Sequence, residues 1–189
     1  MSYWLDIVGS FIIGGFIFLI LANINLIISS SSSELSYATI VQSDLSNILD
    51  IVEYDFYKMG YRISDNKITL AEKKKIKFAL DIDDDGSSDS LYYYLGTTSE
   101  LSITKNPDDK LVYRVVNSNS PEIIGRVRHF HLYYYDSTGN RISFSSLQNE
   151  SSRRKIRSID VKLVIESVES VDSVYIGAEL RRKISPKNL

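Results

Sequence analysis

The chain has 189 residues, carries 22 Lys and Arg against 24 Asp and Glu, and contains no cysteine. This near balance of charge provides no basic face of the kind that binds nucleic acid, so we expect no nucleic-acid partner. Without cysteine the chain can form no disulfide, no thiolate metal site and no thiol nucleophile.

The first predicted element is a transmembrane helix over residues 1–30. The apolar run Ile7–Ile28 carries no charge, and its 22 residues reach about 33 Å as a helix, enough to cross a bilayer core. The alternative is an export signal cleaved in the Ser29–Ser33 tract, but such signals have a basic start and an apolar stretch of about 7–15 residues. No Lys or Arg precedes Lys58, so charge does not set the orientation. The Ser-rich and Tyr-rich remainder favours an exported head, periplasmic or extracellular.

Residues 31–60 are predicted to continue the helix in amphipathic form. Apolar residues recur at steps of three and four along one face, which is the period of a helix packed on a core. Gly60 is a natural C-terminal cap. The five consecutive serines lower helix propensity, so a hinge between the two halves is an open alternative. The apolar positions are Leu35, Ala38, Val41, Leu45, Ile48, Leu49, Val52, Phe56 and Met59.

Residues 61–189 are predicted to form an antiparallel β-rich head. Runs rich in Ile, Val and Tyr indicate strands, and alternation of apolar and polar residues indicates a sheet with one solvent-exposed face. The amphipathic helix is the obvious cover for the other face, which gives an α+β fold. A hairpin turn is expected at residues 136–140. The predicted strands are Ile76–Asp83, Leu91–Leu95, Leu101–Thr104, Leu111–Val116, Val127–Tyr135, Arg141–Leu147, Ile156–Glu166 and Val174–Ile184.

Three motifs in this arrangement resemble those of type IV pilins and type II secretion pseudopilins, most closely the larger minor members. In Leu49–Tyr61 an acidic and aromatic run closes on a Gly-Tyr pair. Phe78–Leu95 resembles the acidic hairpin of these proteins, and Leu180–Leu189 resembles their basic C-terminal segment. The resemblance implies a non-catalytic subunit in the inner (cytoplasmic) membrane. Its implied partners are other pilin-like subunits and the inner-membrane assembly machinery of a pilus, competence filament or pseudopilus.

The N-terminal segment departs from the pattern of that family, which has a basic leader, a Gly cleavage site, then Phe and a Glu at the fifth mature position. If Gly15 is the cleavage site, the fifth mature position is Ile20, whereas counting from Ser2 makes it Asp6. A carboxylate at the membrane edge is costly without a partner. The resemblance therefore implies a partner-specific assembly face carrying Asp6, Gly14 and Gly15. Alternatively, Asp6 only marks the water-facing end of the helix.

An acidic loop is the one predicted metal site. Its residues match the first, third, fifth, sixth and ninth positions of a calcium loop, but Tyr92 replaces the Glu expected at the twelfth. A weak calcium site and a solvated acidic turn are both open, and no other cofactor is expected. A monomeric membrane-tethered binding domain that uses this loop is therefore the alternative function. The matching residues are Asp81, Asp83, Asp85, Gly86 and Asp89.

An enzyme is not expected. The chain contains neither a Gly-x-Ser-x-Gly nucleophile elbow nor a Gly-rich phosphate-binding loop.

Overall fold

The structure, a computed structural model, describes residues 2–101 and 104–189. One long helix, α1 (Ser2–Tyr57), is followed by a region built from antiparallel strands. This confirms the predicted α+β class.

The two halves of α1 have different surroundings. From Tyr3 to Ile28 its apolar side chains are exposed on all sides of the helix, whereas from Val41 to Phe56 one face is buried in the head. The helix continues through the five serines without a break, so a hinge is not seen there. Hydroxyls such as that of Ser33 donate to the carbonyl four residues earlier (Ser29 O, 3.0 Å). The amphipathic face is confirmed from Val41 onward, but Leu35 is exposed.

Five strands form the first sheet in sequential order, each antiparallel to the next. This meander needs only short connections between neighbours. The strands are β1 (Ile68–Ala71), β2 (Lys75–Leu80), β3 (Asp89–Leu95), β4 (Lys110–Val116) and β5 (Glu122–Val127).

Three longer strands form the second sheet, also in sequential order: β6 (His129–Tyr135), β7 (Ser158–Val171) and β8 (Val174–Ile184). A short 3-10 turn (Ser146–Gln148) and the one-turn helix α2 (Glu150–Arg153) connect β6 to β7. α1 packs against β7, β8 and β5, so both sheets contribute to the cover of its buried face.

One strand prediction is wrong, and another is wrong only at its start. The run Val127–Tyr135 forms β6 from His129 onward, but it is divided at Arg128, and Val127 belongs to the other sheet. In Arg141–Leu147 only Arg141 pairs, in a single bridge with Tyr135, before the chain enters the 3-10 turn. A separate turn leads into it, in which the carbonyl of Ser143 accepts from the amide of Ser146.

A third prediction, Leu101–Thr104, falls partly outside the described residues. Its first residue ends a 3-10 turn, Thr98–Leu101, and residues 102–103 are not described. β1 and β5 were not predicted. β1 has only four residues, and Gly125 lowers the strand propensity of β5.

Phe56 occupies the centre of the core. Its ring meets Phe78 of β2 and Tyr93 of β3 edge-on, with centroids 5.5 and 5.6 Å away. Such edge-to-face pairs add about 0.5–1.5 kcal/mol beyond area burial. Gly60, with φ of +75°, turns the chain away just after the helix ends, and its amide donates to Ala79 O at 2.9 Å. The head is thereby closed around the last turns of α1.

Candidate functional site

The acidic loop connects β2 to β3 and brings three carboxylates together. Oxygens of Asp81, Asp83 and Asp89 all lie within 4.8 Å of one another. Oxygens that ligate one Ca²⁺ at about 2.3–2.6 Å are at most about 5 Å apart. The three side chains can therefore reach a single hard cation.

Asp81 is the buried member of this cluster, with 1% of its surface exposed. Its Oδ2 accepts from the Gly86 amide at 3.1 Å and from the Arg62 guanidinium at 3.2 Å. Its Oδ1 is buried and has no hydrogen-bond partner among the described residues. An unsatisfied buried carboxylate oxygen costs free energy that a bound cation would recover. The donor set therefore fits calcium.

Asp89 is held in its charged form at the other side of the loop. Its carboxylate accepts from the Asn117 side chain at 2.7 Å and from the Ile82 amide at 3.0 Å. These two hydrogen bonds, that of Asn117 first, lower the pKa of Asp89 below its ordinary value. Asp89 is therefore ready to act as an anionic ligand at neutral pH.

Asp85, the fourth predicted ligand, lies outside the cluster. Its carboxylate accepts from the Ser87 amide at 2.7 Å and so organises the turn. Tyr92, at the twelfth position, lies in β3, where its ring stacks on that of Tyr94 with centroids 5.1 Å apart. The site is thus the loop of a β-hairpin with three converging carboxylates, and differs from a helix-flanked calcium loop.

Arg62 was not predicted as part of this site. Its guanidinium lies 3.2 Å from Asp81 and 3.6 Å from Asp84, so it already supplies positive charge to the loop. These bonds to carboxylates raise the pKa of Arg62, the bond to Asp81 most of all. A metal ion has to compete with this cation, which argues for weak binding. No sequence pattern places Arg62 beside Asp81, since the pairing depends on how the chain turns after α1.

Replacing Asp83 with asparagine is expected to weaken Ca²⁺ binding about tenfold, because it removes one of three converging charges. The measurement is a calorimetric titration of the full chain in detergent micelles with CaCl₂, where we expect a dissociation constant of about 10⁻⁴–10⁻³ M for the unaltered chain. Asp85→Asn is the matched control and should leave the affinity within about twofold, since Asp85 lies outside the cluster. Equal losses in both variants, or no binding at all, would contradict the assignment.

The predicted assembly residues lie on the exposed half of α1. A Cβ added at Gly14 or Gly15 would meet nothing within 4 Å, so neither glycine serves packing inside the subunit. At about 100° per residue, Gly14 is rotated about 80° from Asp6 and Gly15 about 180°. Asp6 and Gly14 therefore lie on neighbouring parts of the helix surface, and Gly15 lies on the opposite side. Ser10 shares the Asp6 side and donates to Asp6 O at 2.8 Å.

A buried ionic cluster was also missed by sequence analysis. Asp55, on the core face of α1 and 2% exposed, accepts from Arg114 of β4 at 2.7 Å and from the Tyr93 hydroxyl. The pKa of Tyr93 is raised by burial first and by Asp55 second, whereas the Asp55 hydrogen bond raises that of Arg114. Asp55 follows Ile48 by seven residues and so shares its helix face, a signal that was available. The cluster joins α1 to the first sheet and so has a structural role.

These features define an α+β protein with one N-terminal helix that is long and apolar enough to span a membrane. The apolar segment and the packed segment belong to one continuous helix. No protein-family model, curated protein or solved structure matches the chain.

Proposed function

We propose that the protein is a non-catalytic, minor pilin-like or pseudopilin-like subunit. It would contribute to the assembly or tip of a type IV pilus, a competence filament or a type II secretion pseudopilus. The observation that carries the proposal is the uninterrupted α1, exposed and apolar around its whole circumference in one half and packed into the head in the other. In this proposal residues 1–30 span the inner membrane and the head is exported.

Apolar side chains between the membrane segment and the head support assembly over simple tethering. Leu35 and Ile40 are exposed, although they lie about 10 and 18 Å along the helix from Ile28. Neither the hydrocarbon core nor the head covers them. A neighbouring helix of the same kind would, and burial of that apolar surface would favour bundling. A tether needs no apolar residues at this level.

Asp6→Asn is expected to reduce the recovery of partner subunits about tenfold while the protein remains in the membrane, because a membrane-edge carboxylate gains most from a specific cationic partner. Recovery is measured by quantitative mass spectrometry after affinity capture of the tagged full chain from gently solubilised membranes. Asp50→Asn, an exposed carboxylate on the same helix, is the matched control. Unchanged recovery in the Asp6 variant would remove the special role of Asp6.

The same capture tests the proposed function itself. Recovery of proteins with pilin-like N-terminal helices, or of a platform protein with its ATPase, is the expected result and would identify the machine. Recovery of the protein alone would contradict an assembly role.

The second candidate is a monomeric membrane-tethered domain that binds calcium through the acidic loop. The observation that favours it is the buried Oδ1 of Asp81, which has no hydrogen-bond partner in the part of the chain that the structure describes. Calcium binding in a chain that captures no partner subunits would support this candidate.

A further inference from the structure

The hairpin formed by β7 and β8 ends in a tight turn beside α1. Val171 pairs with Val174, and the two residues between them, Asp172 and Ser173, have φ of +49° and +67°. Positive φ at both central positions is typical of the two-residue turns that follow the twist of a hairpin. The tip is therefore a defined turn at the end of two paired strands.

Two contacts align this hairpin with the helix. Ser30 Oγ donates to Asp172 Oδ2 at 3.1 Å, and the Tyr37 hydroxyl donates to Glu169 Oε2 at 3.4 Å. From Tyr37 to Ser30 the helix covers about 10.5 Å. From Glu169 to Asp172 the strand covers about 10 Å. The two distances match, so the hairpin runs along α1 with its tip pointing toward the apolar run.

The tip lies at the level where the bilayer would end. Ser30 is two residues beyond Ile28, the last residue of the apolar run, which is about 3 Å along the helix. The headgroup layer extends about 5–7 Å beyond the hydrocarbon core on each side. When Ile7–Ile28 spans the core, Ser30 and its partner Asp172 lie within that layer.

The tip carries one exposed apolar side chain and one carboxylate. Val174 is 61% exposed, and the carboxylate of Asp172 accepts from the Ser30 hydroxyl at 3.1 Å. Residues 169–174 contain no basic side chain. Glu169 is paired with Lys105 at 2.8 Å, so the charge of that carboxylate is matched within the protein. Attraction to anionic lipid would require unmatched basic groups, which this segment lacks.

We propose that the β7–β8 tip (Val171–Val174) rests in the headgroup layer of the bilayer that holds α1, with Val174 as its apolar contact. The inference depends on the membrane anchoring in the proposed function. It gives the head a second membrane contact beside the helix, which limits how far the head can tilt relative to the bilayer.

The absence of cysteine allows a direct test with single-cysteine variants of the full chain in phosphatidylcholine nanodiscs. Val174→Cys reports on the tip and Phe18→Cys on the bilayer interior. Ile123→Cys is the matched solvent control, since Ile123 is 56% exposed on β5. Its neighbours Glu122 and Ile124 line a groove with Tyr54 of α1. Each cysteine carries a nitroxide, and its collision rates with oxygen and with a water-soluble nickel complex are measured by electron paramagnetic resonance.

At position 174 we expect a collision rate with nickel about threefold lower than at position 123, because the headgroup layer partly excludes water-soluble ions. Ser173→Cys, at the same tip, should give the same result. If the two variants agree, the result does not come from a folding defect in one of them. Equal nickel rates at 174 and 123, with position 18 in the hydrocarbon, would overturn the inference and leave the anchor intact. Water-like rates at position 18 would instead overturn the anchor. Adding phosphatidylserine should not lower the nickel rate at 174, because the tip carries the carboxylate of Asp172 and no basic side chain. A lower rate would overturn the assignment to a contact made without basic groups.

Discussion

Arg114→Met is expected to lower the free energy of unfolding by about 3–5 kcal/mol, because it leaves the buried carboxylate of Asp55 without its cation. The side chain of Arg114 forms two hydrogen bonds to Asp55, at 2.7 and 3.3 Å, and methionine keeps much of its volume. The measurement is denaturant unfolding of the full chain in detergent micelles, followed by the near-ultraviolet circular dichroism of the tyrosines. This signal reports on packing in the head.

The matched control is Arg182→Met. Arg182 of β8 also bridges to α1, through Glu53 at 3.6 Å, but its side chain is half exposed. An exposed pair contributes about 0–1 kcal/mol, so the control should change stability by no more than that. Adding Asp55→Asn to Arg114→Met should recover part of the loss, since the buried charge is then removed. Similar small effects of Arg114→Met and Arg182→Met would show that the Asp55 cluster does not hold α1 to the sheet.

Phe56→Ala is expected to destabilise the head by about 3–5 kcal/mol, because it leaves a cavity where α1 meets β2 and β3. The ring is fully buried and contacts both Phe78 and Tyr93. The same unfolding measurement applies. The near-ultraviolet circular dichroism of the folded variant should also change, because Tyr93 loses its contact with the Phe56 ring.

Tyr57→Ala is the control for this change. Tyr57 is the next residue of the helix and is 46% exposed, so its removal should cost no more than about 0.5 kcal/mol. Both changes introduce the same residue at neighbouring helical positions, so helix propensity affects them similarly. Equal losses at 56 and 57 would contradict a core centred on Phe56.

Local periodicity was sufficient to predict the helix and several strands. β8 occupies Val174–Ile184 as predicted, and β4 differs by one residue at its start. The buried face of α1 follows the three-and-four spacing from Val41 to Phe56. Each of these features shows in the period of apolar residues along its own segment, which is why a pattern in the sequence reveals them.

The division into two sheets could not be predicted in this way. Nothing in the run Val127–Tyr135 shows that its two parts pair with different partners, β4 on one side of Arg128 and β7 on the other. Strand pairing depends on residues far apart along the chain. Arg141–Leu147 has the composition of a strand, but after the bridge at Arg141 and the bond from the Ile142 amide to Tyr134 O it becomes a turn.

The acidic loop shows the same limit. The spacing of its aspartates predicted a loop with four carboxylate ligands. In the tertiary structure only Asp81, Asp83 and Asp89 of these four converge, and Asp85 accepts from the Ser87 amide instead. The sequence alone determined a long helix with an apolar half, a strand-rich head and an acidic turn, because composition and short-range period encode each of them. Only the tertiary structure decided that Arg62 faces Asp81, that Arg114 neutralises Asp55 and that Asp172 lies beside Ser30. Each of these pairs is 19 to 142 residues apart in sequence, and folding alone brings them together.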